Sequence, residues 1–362
     1  MQRSRQSTDD CEPHDGTLEQ SGDNMNFMVS VGRFAGSAKG GVRLVGAAAT
    51  LFAAMWAANP ANAQPGWTPT KPIRLVVPYA PGGGTDVLAR LVVAGIGNGL
   101  GQPIVVENRP GANGVIGANV AYASPPDGYT LLFAAADFIS VAPYIHKKVV
   151  QFQPNGFRPV APVAKMGFVL ASRPDAETRT VQDIVAKAKA SSLSYGHWGP
   201  GSMAQMGMEL LKTKAHINNM LEVPFGGAAP VMTAVMGGQV DYAFIPTPLA
   251  VANKTKLRLY ALGSPERFPS IKEIPTLTES GYAIDADTWF GVLAPPNTPQ
   301  VVVDAIQAQV TRATSQPEFR ARLADMGYTP ITIDPKKFGE FVQAENQRWG
   351  AAVKAARIRI EE

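Results

Sequence analysis

The chain has 362 residues, with 33 Lys and Arg against 29 Asp and Glu, a net charge of +4, and a single cysteine, Cys11. So mild and diffuse a basic excess argues against a nucleic-acid surface, and one thiol rules out a disulfide framework or a cysteine-ligated metal. Beyond residue 63 the histidines are His146, His197 and His216, far apart in sequence, and neither an HExxH motif nor a G-x-S-x-G elbow is present. His197 and Ser202 lie five residues apart, which is no evidence for a catalytic dyad.

Residues 40–63 place Arg43 ahead of the apolar run 44–58 and end in Ala61-Asn62-Ala63. This is the pattern of a secretory signal, with cleavage expected after Ala63. Residue 64 is Gln and not cysteine, so the exported chain is expected to be free of a lipid anchor. The part after Ala63 is long enough for two domains of ordinary size.

The stretch IRLVVPYAPGGGTDVLAR at 73–90 reads as a buried strand, a glycine-rich turn and a helix. Gly82, Gly83 and Gly84 let the backbone turn sharply and a ligand come close, and Thr85 is expected to cap the helix. A bare helix start beside glycines suits an anion. The spacing is neither that of a P-loop nor that of a dinucleotide fingerprint. Strands at 104–107 and 129–134, with a turn at 108–114 and a helix at 115–123 between them, continue a parallel, right-handed α/β sheet. The loops at 81–86, 108–114 and 135–140 are then expected to wall one cleft beyond the strand ends.

A second set of units follows: a strand at 168–171, a helix at 181–190 opened by Thr180, and a strand at 193–195. The last runs into GHWGPGS (196–202) and a helix at 203–212. This repeats the design of strand, glycine turn, hydroxyl cap and helix, and predicts two turns that face each other with both helix starts aimed at one ligand. Strands at 221–224, 240–245 and 257–262 and a helix at 229–237 complete this half. From Phe290 a short strand at 292–294 and helices at 301–314, 316–327 and 335–356 are expected to return and cover the first sheet. The predicted crossovers near Lys165 and Asp287 form a hinge.

Six blocks carry a family resemblance: KPIRLVVPYAPGGGTDVLAR (71–90), GQPIVVENRPGANGVIGA (101–118), PPDGYTLLFA (125–134), VPFGGAAP (223–230), GGQVDYAF (237–244) and IPTLTESG (274–281). In this order they resemble the Bug-type periplasmic solute receptors of tripartite tricarboxylate transporters. The resemblance implies a type II periplasmic binding-protein fold, an α/β architecture of two lobes joined by a hinge with the ligand cleft between them. The lobes are expected at 64–165 plus 287–362 and at 166–286, after an export region at 1–63. It further implies a periplasmic, monomeric receptor that is not an enzyme and uses no cofactor or metal. The receptor would pass a small carboxylate to membrane transporter subunits, the alternatives being a ligand sensor or scaffold and, last, a hydrolase. Where the family usually has Tyr and Lys this chain has Phe225 and Gly226, and Gln205 stands where His is common. A hydroxyl, a charge and an imidazole are thereby removed.

The candidate ligand residues are the turn positions Gly83, Gly84, Thr85 and Asp86 and, in the second turn, Gly201 and Ser202. Tyr79, His197 and Phe225 join them as aromatics, with Gly226 beside Phe225. Asn113 is a side-chain donor in its loop, and Asp137 and Asp241 are carboxylates that face the cleft. For Asp86 a role in orienting the turn through backbone amides stands beside that of an ordinary acid in a first helical turn. For Phe225 and Trp198 lobe core is the alternative, and for Asp241 a structural pairing.

Overall fold

The computed structural model describes residues 66–356; the export region expected at 1–63 lies outside them. The described residues pack as one compact unit carrying two sheets. The first sheet has the order β11-β4-β10-β3-β1-β2 and the second the order β7-β6-β8-β5-β9.

Strand β1 (Ile73–Val77) pairs in parallel with β2 (Ile104–Asn108) on one side and β3 (Thr130–Ala135) on the other. All six residues of β3 are buried, as a continuous apolar strand in mid-sheet requires. Helices α1 (Gly84–Ile96) and α2 (Val115–Tyr122) make the connections. After β3 the chain forms a π-helical turn, Asp137–Val141, and the short α3 (Ala142–Ile145).

The three strands expected to be parallel are so, and the returning chain makes the complete sheet mixed. Strand β10 (Thr288–Ala294) lies antiparallel between β3 and β4 (Arg158–Met166), because the chain re-enters from the second sheet in the opposite direction. Strand β4 has no counterpart in the sequence expectations. Its Pro159 and Pro162 lack an N–H for the ladder, and its pairing with β10 slips at two places.

The chain passes to the second sheet at Gly167, between β4 and β5 (Phe168–Ser172), and returns just before β10. In this sheet β6 (Leu193–His197) runs parallel to β7 (Met220–Pro224) and β8 (Tyr242–Pro246), whereas β5 is antiparallel to β8 and β9 (Arg258–Leu262). Helix α4 (Val181–Ala190) starts at a capping box in which Thr180 Oγ1 accepts from Asp183 N at 3.1 Å while Asp183 accepts from Thr180 N at 2.9 Å. Helices α5 (Met203–Ala215), α6 (Ala228–Met236) and α7 (Thr247–Ala252) complete the second half.

The returning chain then adds α8 (Gln300–Ser315), α9 (Pro317–Asp325), the short β11 (Thr329–Pro330) and α10 (Phe338–Ala355). Helix α8 packs on β4 and on α1, where Ala313 meets Gly95. Phe338 from α10 fills the space left by Gly291 and meets Trp289 edge-on at 5.7 Å. The tail thus covers the first sheet as its helical pattern predicts. At the return, Arg348 of α10 clasps the chain through Asp285 (3.0 Å) and Asp287 (3.3 Å), and Lys165 reaches Asp287 at 3.2 Å.

Candidate functional site

The parallel strands β1, β2 and β3 end at one edge of the first sheet, and their loops lie together there. After β1 the chain turns at Gly82 (φ 79°), a conformation that favours glycine, and Gly83 occupies the N-cap of α1. Thr85 is therefore two residues too late to cap; it lies inside the helix, and no side chain caps this end. The first intrahelical bond runs from Val87 N to Gly83 O, which leaves the amides of Gly84, Thr85 and Asp86 without helical partners. Gly82, Gly83 and Gly84 are exposed and Thr85 is half-buried, so the turn opens to the surface at its glycine side.

Asp86 is buried and organises the turn. Its carboxylate accepts from Gly82 N, Arg90 Nε and Asn108 Nδ2, each at 2.9 Å, and Asn108 also holds Tyr79 O at 3.0 Å. Burial pushes the Asp86 carboxyl up, but the bonds from Arg90, Gly82 and Asn108 outweigh it and hold it below the usual range. With both oxygens engaged, Asp86 shapes the donors instead of contacting an anion.

In the second loop Asn113 adopts a left-handed conformation (φ 49°), and neither end of its enclosed side-chain amide has a protein partner. Gly114 next to it leaves room for the Phe138 ring, which lies 6.0 Å from Tyr79. In the π-helical turn Asp137 is buried; its carboxylate accepts from Thr288 Oγ1 at 3.0 Å and from the Met203 amide. Burial raises its pKa to about 6, despite those bonds. Burial, and then the Asp137 charge, keeps the Tyr79 phenol protonated.

The Met203 amide belongs to the start of α5, so a carboxylate from the first sheet occupies a donor of the second glycine turn. Three other donors of that turn are also used. Gly201 N donates to Gln205 Oε1 at 2.8 Å, Ser202 N to Gly199 O at 3.2 Å, and Ser202 Oγ caps the helix by accepting from Gln205 N at 3.5 Å. Pro200 O lies 3.1 Å from His146 Nε2, and Gly201 faces Ile145 of α3. This corrects the expectation of two facing turns with both helix starts aimed at one ligand: Gly201 and Ser202 are buried, and Gly201 packs against Ile145.

Two further expectations are corrected. His197 is buried, with the Gly199 amide donating to Nδ1 at 3.2 Å and Nε2 3.9 Å from Glu222. It faces the Gln205–Glu222 side of its sheet, and burial holds it below the usual histidine pKa, so it braces the turn as a neutral ring. Asp241 precedes β8, at the strand-entry edge opposite the second turn, where it accepts from Ser194 N at 2.7 Å and Ser194 Oγ at 2.8 Å. Phe225 is half-buried against Gly196, its amide bonded to His197 O, and Gly226 beside it is exposed. Trp198 is half-buried 5.8 Å from Phe168.

Residues far away in sequence complete the surroundings. Thr247 Oγ1 of the second lobe donates to Gly327 O at 2.6 Å, and the Tyr328 hydroxyl lies against Gly84, on the side where a Cβ would stand. Nothing in the sequence marks Tyr328, which stands in an ordinary apolar pattern. Cavities of about 380 Å³ at Pro154–Gly156 and Gln343, and about 190 Å³ at Arg173 and Asp241, lie away from these turns. Among the described residues no group of His, Cys, Asp and Glu is arranged to hold a metal, and no helix is long and apolar enough to cross a membrane.

Two lobes, a six-stranded sheet with an antiparallel returning strand, and helix starts gathered where the sheets meet define a type II periplasmic binding protein. The chain belongs to the family described as tripartite tricarboxylate transporter family receptor, which it matches over residues 88–358. It is 32% identical to protein BugT of Bordetella pertussis over 305 residues, 81% of this chain and 91% of BugT. Among solved structures it resembles MatC of Rhodopseudomonas palustris with bound malate, at a TM-score of 0.71 and 31% identity, covering 79% of this chain and 99% of MatC. It also resembles R. palustris Rpa4515 with adipate, at a TM-score of 0.74 and 28% identity, covering 81% and 99%.

Proposed function

We propose that this chain is a periplasmic receptor, exported by cleavage after Ala63, that binds a small organic carboxylate between lobes 64–165 plus 287–362 and 166–286. It acts as a monomer, without turnover, and delivers its ligand to the membrane subunits of a tripartite tricarboxylate transporter. The observation that carries this reading is the exposed glycine turn, whose Gly84, Thr85 and Asp86 amides are unpaired at the start of α1. A charge-assisted hydrogen bond contributes about 1.5–3 kcal/mol and a partly buried helix terminus up to about 2. Two or three such groups with apolar packing reach about −8 kcal/mol, micromolar binding. Relatives in this family hold malate and adipate.

The charges around the turn favour a ligand with few of its own. Arg90 is committed to Asp86, while Arg109 and Arg74 pair with Glu107. Tyr79, Trp198 and Phe225 add apolar surface. A monocarboxylate, or a dicarboxylate with well-separated charges, therefore suits the site better than a tricarboxylate. Calorimetric titration with malate, adipate, citrate and benzoate tests this, and tighter binding of adipate or benzoate than of citrate is expected. Solution scattering should show a more compact particle at saturation as the lobes close. Citrate as the tightest ligand, or identical scattering profiles with and without ligand, would overturn the respective part.

A further inference from the structure

Tyr328 follows Gly327 at the corner between α9 and β11, and its side chain is 1% exposed. The ring meets Phe290 edge-on at 6.0 Å, as a core aromatic should. The hydroxyl does not fit that description, because it is fully enclosed and has no hydrogen-bond partner. A phenylalanine would fill the same volume without burying an unsatisfied polar group.

The hydroxyl is aimed at the glycine turn. A Cβ on Gly84 would stand 2.8 Å from Tyr328 Oη, so the phenol reaches the first residue of α1 only because that residue has no side chain. Burial keeps the phenol protonated, and hence a donor. The corner that carries it is tied to the second lobe, since Gly327 O accepts from Thr247 Oγ1 and the Gly327 backbone packs on Pro248.

We propose that Tyr328 is a specificity-determining residue that donates its hydroxyl to one oxygen of a ligand carboxylate whose other oxygen takes the amides of Gly84 and Thr85. The assignment rests on the carboxylate reading of this turn. It adds a requirement that the backbone alone does not impose: the bound group must offer two acceptor oxygens, which an ionised carboxylate does and a primary amide does not.

Tyr328→Phe, titrated with adipate and malate by calorimetry, should bind about 10- to 100-fold more weakly than the parent, the loss expected for one hydrogen bond to a charged group. Its ligand-free melting temperature should be equal or higher, because an unpaired buried hydroxyl is gone. Parent-like affinity in the variant, beside a parent that binds, would overturn the assignment and leave the carboxylate reading standing. No binding of either acid by the parent would remove that reading, and this assignment with it. The geometry has its own check: Gly84→Ala should lower the melting temperature more in the parent than in Tyr328→Phe, where the atom it meets is absent. Equal losses in both backgrounds would place the hydroxyl elsewhere and overturn the assignment.

Discussion

The two glycine turns of this protein share a sequence design and differ in what the fold does with it. In the first, Gly82–Gly84 are exposed, no side chain caps α1, and the amides of Gly84, Thr85 and Asp86 have no helical partner. In the second, Ser202 caps α5, Gln205 reaches back to Gly201, and Asp137 from the other sheet takes the Met203 amide. A helix start offers an anion site only while its donors are unspent. The first turn leaves three helix amides without helical partners, whereas at the second Gly201 N, Ser202 N and the Met203 amide are engaged by protein groups.

The largest effect is expected at the open turn. Gly83→Val should abolish measurable carboxylate binding, a loss of about 100-fold or more, because a branched side chain would stand over the free amides. The backbone at Gly83 (φ −73°) accepts any residue and nothing but Ala80 O lies near its Cβ position, so circular dichroism and the melting temperature should change little. Unchanged affinity by calorimetry would mean that the open turn is not the carboxylate site.

The contact between the turns should respond to pH. Asp137 has a folded pKa of about 6, above its unfolded value of 3.8. Its contribution to stability is therefore fully present below about pH 4 and is lost as pH rises through 6. The shift corresponds to about 2–3 kcal/mol. Melting curves from pH 4 to 8 should show this decline in the parent relative to Asp137→Asn, which cannot ionise. Parallel pH profiles for the two proteins would mean that Asp137 is not buried at this junction.

A smaller effect separates the roles of the two turns. Gln205→Leu leaves the buried Gly201 amide without a partner, which costs about 1–3 kcal/mol of stability. Ligand affinity should move by less than about threefold, since Gly201 N and Ser202 N are already engaged by protein groups. Intact stability with a large loss of affinity would reverse the comparison.

Much of the fold was legible because local pattern and tertiary role agree. Strands β1 and β3 are continuous apolar runs that mid-sheet burial demands, Thr180 caps α4 as its position suggests, and the helices of the tail cover the first sheet. Strand β4 was hidden by two prolines that its irregular pairing with β10 tolerates. The site was legible in its first loop and less so elsewhere. Asp241 and His197 look like cleft residues in a linear reading, yet strand direction sends Asp241 to the far edge and strand alternation turns His197 towards Glu222. Tyr328 could not be found locally, because its meaning comes from an atom of Gly84 that is absent.

By itself the sequence determined the glycine turns, the strand and helix order and, through six ordered blocks, the receptor family, because these depend on backbone conformation and apolar periodicity within short windows. Only the tertiary structure decided which helix start remains free. A hydrogen-bond donor is spent or unspent according to what stands within about 3 Å of it, and at both turns groups from elsewhere in the fold stand beside it: Asp137 at one, Asn108 and Tyr328 at the other.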